Sequence, residues 1–118
     1  YTDKVLEDLI TLLSAQDNMA SSVLYLSDHG ESLGENGLYL HGAPYFMAPE
    51  HQTKVPMLFW QSQAFAESAR IDRGCLKAKA SAAYSHDYLF HSLLGLTAVQ
   101  TSERQPDLDI FAGCRRNG

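Results

Sequence analysis

The run Ser22-Val23-Leu24-Tyr25-Leu26 is apolar and β-prone, and it empties directly into Ser27-Asp28-His29-Gly30. A strand without regular polar alternation is expected to be covered on both faces, as in parallel sheets. Ligands of such sheets bind beyond the carboxyl ends of the strands, where Asp28 and His29 fall. Neighbouring residues on a regular strand point to opposite faces, so these two side chains can share an ion only if the chain leaves the strand here. Gly30 permits that bend. A carboxylate oxygen and a neutral imidazole nitrogen are ordinary ligands for zinc and also serve manganese. Taken alone, an Asp-His pair reads most simply as a turn in which Asp28 caps a backbone amide.

The flanking segments fit a layered α/β arrangement. From Tyr1 to about Gln16, Val5, Leu6, Leu9, Ile10 and Leu13 recur on one face and Asp3, Lys4, Glu7 and Asp8 on the other, which predicts a helix whose role is packing. Residues 30–50 hold six glycines and prolines and predict a long functional connection. Within it, Glu31 and Glu35 are expected to be solvated or bonded to loop backbone. A short helix from Pro49 to Gln52 precedes a second strand, Val55 to Trp60, which Pro56 places at its beginning or at an edge. Residues 61–72 predict a surface loop or short helix, and residues 74–83 another helix. Ser85 is the expected N-cap of a helix from His86 towards Leu94, with Gly95 as its stop. A short element near Leu108 to Cys114 completes the chain.

The chain has 118 residues, a net charge of −5 and no apolar run of transmembrane length. One domain at most is expected, with neither nucleic acid nor an anionic membrane surface as a direct electrostatic partner. The glycines match neither a dinucleotide fingerprint nor a P-loop, which argues against nucleotide binding. Gly30-Glu31-Ser32-Leu33-Gly34 matches Gly-x-Ser-x-Gly, but a nucleophile elbow needs its serine at a strand-to-helix turn, and here Asp28-His29 hold that position. His51, His86 and His91 read as surface or packing residues. His41, twelve positions beyond His29, can join Asp28 and His29 only if the loop folds back.

The string Asp28-His29-Gly30-Glu31-Ser32-Leu33-Gly34-Glu35-Asn36-Gly37-Leu38-Tyr39-Leu40-His41-Gly42 resembles the metal-site segment of the phosphoethanolamine transferases that modify lipid A. Those enzymes include the mobile colistin-resistance type and belong to the alkaline phosphatase and sulfatase superfamily. Ala43-Pro44-Tyr45, Gln52-Thr53-Lys54-Val55-Pro56-Met57, Ser85-His86-Asp87 and Asp109-Ile110-Phe111 with Cys114-Arg115 extend the likeness over nearly the whole chain. The resemblance implies an alkaline-phosphatase-like α/β/α sandwich with a central, mostly parallel sheet. Residues 1–118 would form the C-terminal portion of a catalytic domain in the periplasm. It also implies zinc (Zn2+) bound by Asp28 and His29, with His41 on the substrate side near the transferred phosphoryl group.

By the same resemblance, the parent enzyme takes phosphoethanolamine from phosphatidylethanolamine onto a threonine and passes it to a lipid A phosphate, conferring colistin resistance. The threonine and a glutamate ligand lie upstream in this family, as do helices that anchor it in the inner membrane. The chain is therefore expected to be a piece of a longer protein that works with the upstream part. Two other readings stand beside this one: a sulfatase- or phosphodiesterase-type metallohydrolase, and a non-catalytic piece that needs a complementary chain. The cysteine count leaves open two buried thiols or a disulfide. The family's periplasmic setting, and the tendency of its members to carry both cysteines together, imply a Cys75–Cys114 bond.

Overall fold

In the computed structural model, which describes residues 1–41 and 44–116, helices and short strands alternate along the chain. They gather into two compact units, Val23–Trp60 and Tyr1–Ser22 with Gln61 onward. Helix α1 spans Thr2–Ser14 and opens at Tyr1 without a side-chain cap. Its predicted packing face is realised in part: Leu6, Ile10 and Leu13 are half-buried, but none of its residues is fully buried, and Val5 and Leu9 are exposed.

Strand β1, Ser22–Leu26, pairs with β4, Met57–Gln61. All five residues of β1 are half-buried, so the expected cover on both faces is absent among the described residues. A two-stranded sheet provides too little neighbouring surface for that. Strand β4 starts just after Pro56, as a residue without a backbone N–H requires.

The predicted long connection holds its own small scaffold. Strands β2, Ser32–Leu33, and β3, Tyr39–Leu40, form an antiparallel pair with Ser32 opposite Leu40 and Leu33 opposite Tyr39. A 3-10 turn over Glu35–Gly37 joins them, preceded by Gly34 at φ 117° and closed by Gly37 at φ 76°. These left-handed conformations are open to glycine at little cost. Helix α2, Glu50–Thr53, then leads to β4.

The other unit is a tighter construction. Helix α3, Gln63–Ser68, is capped by the Ser62 hydroxyl, which accepts the Phe65 N–H. Helix α4, Arg73–Ala78, is shorter than the sequence predicts and is capped by Asp72, whose carboxylate accepts the Cys75 N–H. Helix α5 spans Asp87–Leu96, so Ser85 is not its cap. That hydroxyl turns instead to the Asp87 carboxylate, and Gly95 lies within the helix rather than after it.

Burial explains the last correction. A Cβ on Gly95 would overlap the Asp109 carboxylate, so the glycine is kept for close approach. Asp109 has a fully buried side chain, accepts from Arg104 Nη2 at 2.6 Å and also accepts the Phe111 N–H at 2.8 Å. Arg115 donates to the Ala69 and Gly95 carbonyls at the ends of α3 and α5. Ala66, Ile71, Phe111 and Cys114 form the buried apolar centre, and a Cys75–Cys114 disulfide ties α4 to the final 3-10 turn, Ala112–Cys114.

Candidate metal centre

The site grows from the exit of β1. Beyond Leu26 the backbone leaves the sheet, the Ser27 hydroxyl donates to the His29 carbonyl at 2.8 Å, and the His29 N–H donates back to Asp28 Oδ1 at 3.0 Å. This turn matches the simple capping geometry of an Asx residue. It also leaves Asp28 Oδ2 and His29 Nε2 facing each other 3.8 Å apart.

The imidazole orientation is fixed by its other nitrogen. His29 Nδ1 lies 2.9 Å from the Gly30 carbonyl oxygen, which can only accept, so Nδ1 is the donor there and in the neutral ring the lone pair falls on Nε2. With the ring neutral, two lone-pair donors lie across a gap near the roughly 3.4 Å that separates two tetrahedral zinc ligands; with it protonated, the same atoms form an ion pair. A backbone carbonyl that holds the remote N–H of a histidine is the usual support of a ligating imidazole. The donor set fits zinc in type and spacing, and the Gly30 carbonyl leaves Nε2 as the ring nitrogen that would ligate it. The His29 N–H bond and the nearby imidazoles hold the Asp28 carboxyl below its ordinary range, so the anionic form is favoured.

His41 does fold back. Its ring centroid lies 3.9 Å from that of His29, with the planes tilted by 31°. Its Nδ1 is 3.1 Å from Glu31 Oε1, which orients the ring. Leu40, just before it, has φ 63°, a left-handed conformation strained for a leucine, and the chain changes direction there to present His41.

Glu31 is the residue that sequence reasoning missed. It was expected to be solvated or bonded to backbone, yet it holds a site histidine. Its placement ten positions before His41 carried no local signal, because only the β2–β3 hairpin brings the two together. Glu35 does behave as expected, its carboxylate accepting the Leu33 N–H at 2.7 Å.

Helix α2 anchors the loop from below. The Gly30 N–H donates to the Gln52 carbonyl at 3.0 Å, and Gln52 Nε2 donates to the buried Ser32 hydroxyl at 3.0 Å. A Cβ on Gly30 would overlap the His51 carbonyl oxygen, so close approach of α2 is what this glycine permits. Ser32 is thereby a buried structural hydroxyl. Asp28, His29, Glu31 and His41 remain open to solvent. Among the described residues no group of three or more metal-ligating side chains closes on a single point.

His51 is exposed on α2 and His86 precedes α5. His91 is buried, in place of the expected surface or packing ambiguity, and its Nδ1 accepts the Gln105 N–H at 3.1 Å.

The sulfatase family model matches residues 1–99. Phosphoethanolamine transferase EptA of Salmonella typhimurium is 51% identical over 98% of this chain and 22% of its own length. Phosphatidylethanolamine transferase Mcr-1 of Escherichia coli is 37% identical over 93% of the chain and 19% of its own length. The soluble domain of lipooligosaccharide phosphoethanolamine transferase A from Neisseria meningitidis superimposes with a TM-score of 0.93 at 47% identity, over 99% of this chain and 36% of that one. The integral membrane form of the same protein gives the same TM-score over 22% of its chain. The present chain thus spans about a fifth of the curated relatives it matches. Its mixed helix-and-strand architecture matches the alkaline-phosphatase-like periplasmic domain of EptA. The chain belongs to the sulfatase family and is homologous to the phosphoethanolamine transferases EptA and Mcr-1.

Proposed function

We propose that this chain supplies part of a zinc site for moving phosphoethanolamine from phosphatidylethanolamine to a lipid A phosphate, at the periplasmic face of the inner membrane, and thereby for colistin resistance. The observation that carries this reading is the approach of Asp28 Oδ2 to His29 Nε2 at 3.8 Å, with the ring's Nδ1 held by the Gly30 carbonyl. Zinc held there would neutralise charge on the transferring phosphoryl group and activate a nearby hydroxyl nucleophile.

The residues of this chain divide the work. Asp28 and His29 provide two of the metal's ligands. His41, whose Nδ1 is held by Glu31, stands beside them and in its protonated form can donate a hydrogen bond from Nε2 to a phosphoryl oxygen. By the family resemblance, the nucleophilic threonine and a further glutamate ligand come from the upstream part of the enzyme, and Thr53, Thr97 and Thr101 do not stand in that family's nucleophile context. Catalytic zinc sites generally use three protein ligands, so two do not suffice.

Calorimetric zinc titration tests this division. The isolated chain is expected to bind zinc weakly, and the chain joined to the upstream part of the catalytic domain to bind it stoichiometrically. Tight zinc retained by the isolated chain through dialysis would contradict the division.

A further inference from the structure

Helix α2 buries a single side chain, and it is polar. Glu50, His51 and Thr53 are exposed, whereas Gln52 is 8% exposed and donates through Nε2 to the hydroxyl of Ser32, itself 2% exposed. An apolar residue would fill the same space without needing a partner. What the amide–hydroxyl bond adds is uniqueness, because a satisfied buried polar pair specifies one arrangement where apolar contact tolerates sliding.

The hairpin above it cannot fix itself. Strands β2 and β3 pair only Ser32 with Leu40 and Leu33 with Tyr39, and a two-stranded ribbon is marginal in water. Leu33, Tyr39 and Leu40 are all exposed, so no buried apolar face selects the register. That register nevertheless decides the site. Continued by one pair beyond Ser32 and Leu40, it sets Glu31 opposite His41, where Glu31 Oε1 lies 3.1 Å from His41 Nδ1. A slip of one residue would set Glu31 opposite Leu40 and separate the two side chains.

Gln52 grips the chain on both sides of Glu31. Its backbone carbonyl accepts the Gly30 N–H at 3.0 Å, and its side chain reaches Ser32 at 3.0 Å. Leu40, paired with Ser32, has φ 63°, and a strained conformation of this kind persists only where its surroundings determine it.

We propose that Gln52 is a positioning residue: through Ser32 it sets the register of the β2–β3 hairpin and so places Glu31 against His41 beside Asp28 and His29. It acts through His41 and not on the reacting atoms. This rests on the functional reading above for what His41 does, but not for where His41 stands.

Gln52→Met removes the donor while keeping the length and burial of the side chain, and Ser32→Ala removes the same bond from the other end, so the test stands if one variant fails to fold. In the chain joined to the upstream part of the catalytic domain, histidine ring NMR should show the His41 signals displaced by either variant and those of His91 in place. In a complete transferase carrying residues 1–118 in place of the corresponding segment of Salmonella EptA, either variant should lower kcat for phosphoethanolamine transfer by about tenfold to a hundredfold, with KM nearly unchanged and zinc retained. The double variant should lose no more than the single ones, and in a His41→Ala background Gln52→Met should lower kcat no further. Unmoved His41 signals, or the same further loss in kcat when His41 is already alanine, would overturn the positioning role, because the pair would then serve the fold alone. Displaced His41 signals together with a His41→Ala enzyme that transfers as well as its parent would uphold the positioning and overturn the functional reading of His41 instead.

Discussion

His91 and His41 show opposite uses of one side chain. In the unit that holds α5, His91 is buried and spends its Nδ1 lone pair accepting the Gln105 N–H, so its ring is part of the scaffold. In the loop after β1, His29 and His41 hold Nδ1 against oxygen acceptors and leave their rings exposed to solvent. The difference lies in what the neighbouring backbone offers: an orphan N–H recruits the lone pair, and a carbonyl or carboxylate releases it. One region spends its histidine on the scaffold, and the other exposes the two that the proposed zinc site would use.

Mutations that separate the two regions should therefore divide into losses of fold and losses of site. The largest stability effect is expected for Asp109→Ala, which leaves Arg104 without its partner and frees the Phe111 N–H. Loss of a buried ionic partner costs about 3–5 kcal/mol. Urea unfolding monitored through Trp60 fluorescence measures it, and a loss under about 1 kcal/mol would show that the network is peripheral.

Removal of the Cys75–Cys114 disulfide by paired serine substitution ranks next. It releases a loop closed over a sequence separation of 39, worth about 3–4 kcal/mol in the chain-entropy model. Mass spectrometry of the alkylated protein checks the bond itself: no alkyl groups before reduction and two after are expected under denaturing conditions.

Gly30→Ala should distort the site more than the fold. The added Cβ meets the His51 carbonyl and must push α2 away from the loop, an overpacking cost of about 1–3 kcal/mol. NMR shifts of His29 and His41 should move while those of His91 stay in place. Unchanged site shifts would mean that the α2 anchor does not set the loop.

The smallest effect concerns Asp28. Its carboxyl is held below the ordinary value of 3.8, so the ionised form stabilises the turn above that pH, and the contribution fades as pH falls through the lower folded-state pKa. Carbon-detected NMR titration should give a midpoint below 3.8 that His29→Ala moves back upward. A midpoint at or above the ordinary value would remove the proposed stabilisation of the anion.

How far the sequence could disclose this arrangement depends on the distance over which each device acts. The β1 exit, Asp28-His29 and the beginning of β4 after Pro56 are local consequences of apolar runs and proline chemistry, and they were legible. Glu31 was not, since its contact with His41 exists only once the hairpin is paired. Gly95 misled for a related reason. Helix-stop chemistry and close approach to a distant aspartate both favour glycine, and only the fold distinguishes them. Similarly, Ser85 had the composition of a cap, but its hydroxyl turned to Asp87.

The proposal that this segment carries zinc-binding and substrate-handling residues of a lipid A phosphoethanolamine transferase can be tested in a complete enzyme. Grafting residues 1–118 in place of the corresponding segment of Salmonella EptA, which is 51% identical to it, provides that test. Mass spectrometry of lipid A from cells expressing the graft should show added phosphoethanolamine. Asp28→Ala in the graft should abolish the addition and remove zinc, while His41→Ala should depress the addition strongly and leave zinc bound. A folded graft that modifies lipid A equally well with Asp28 or His41 replaced would contradict the account.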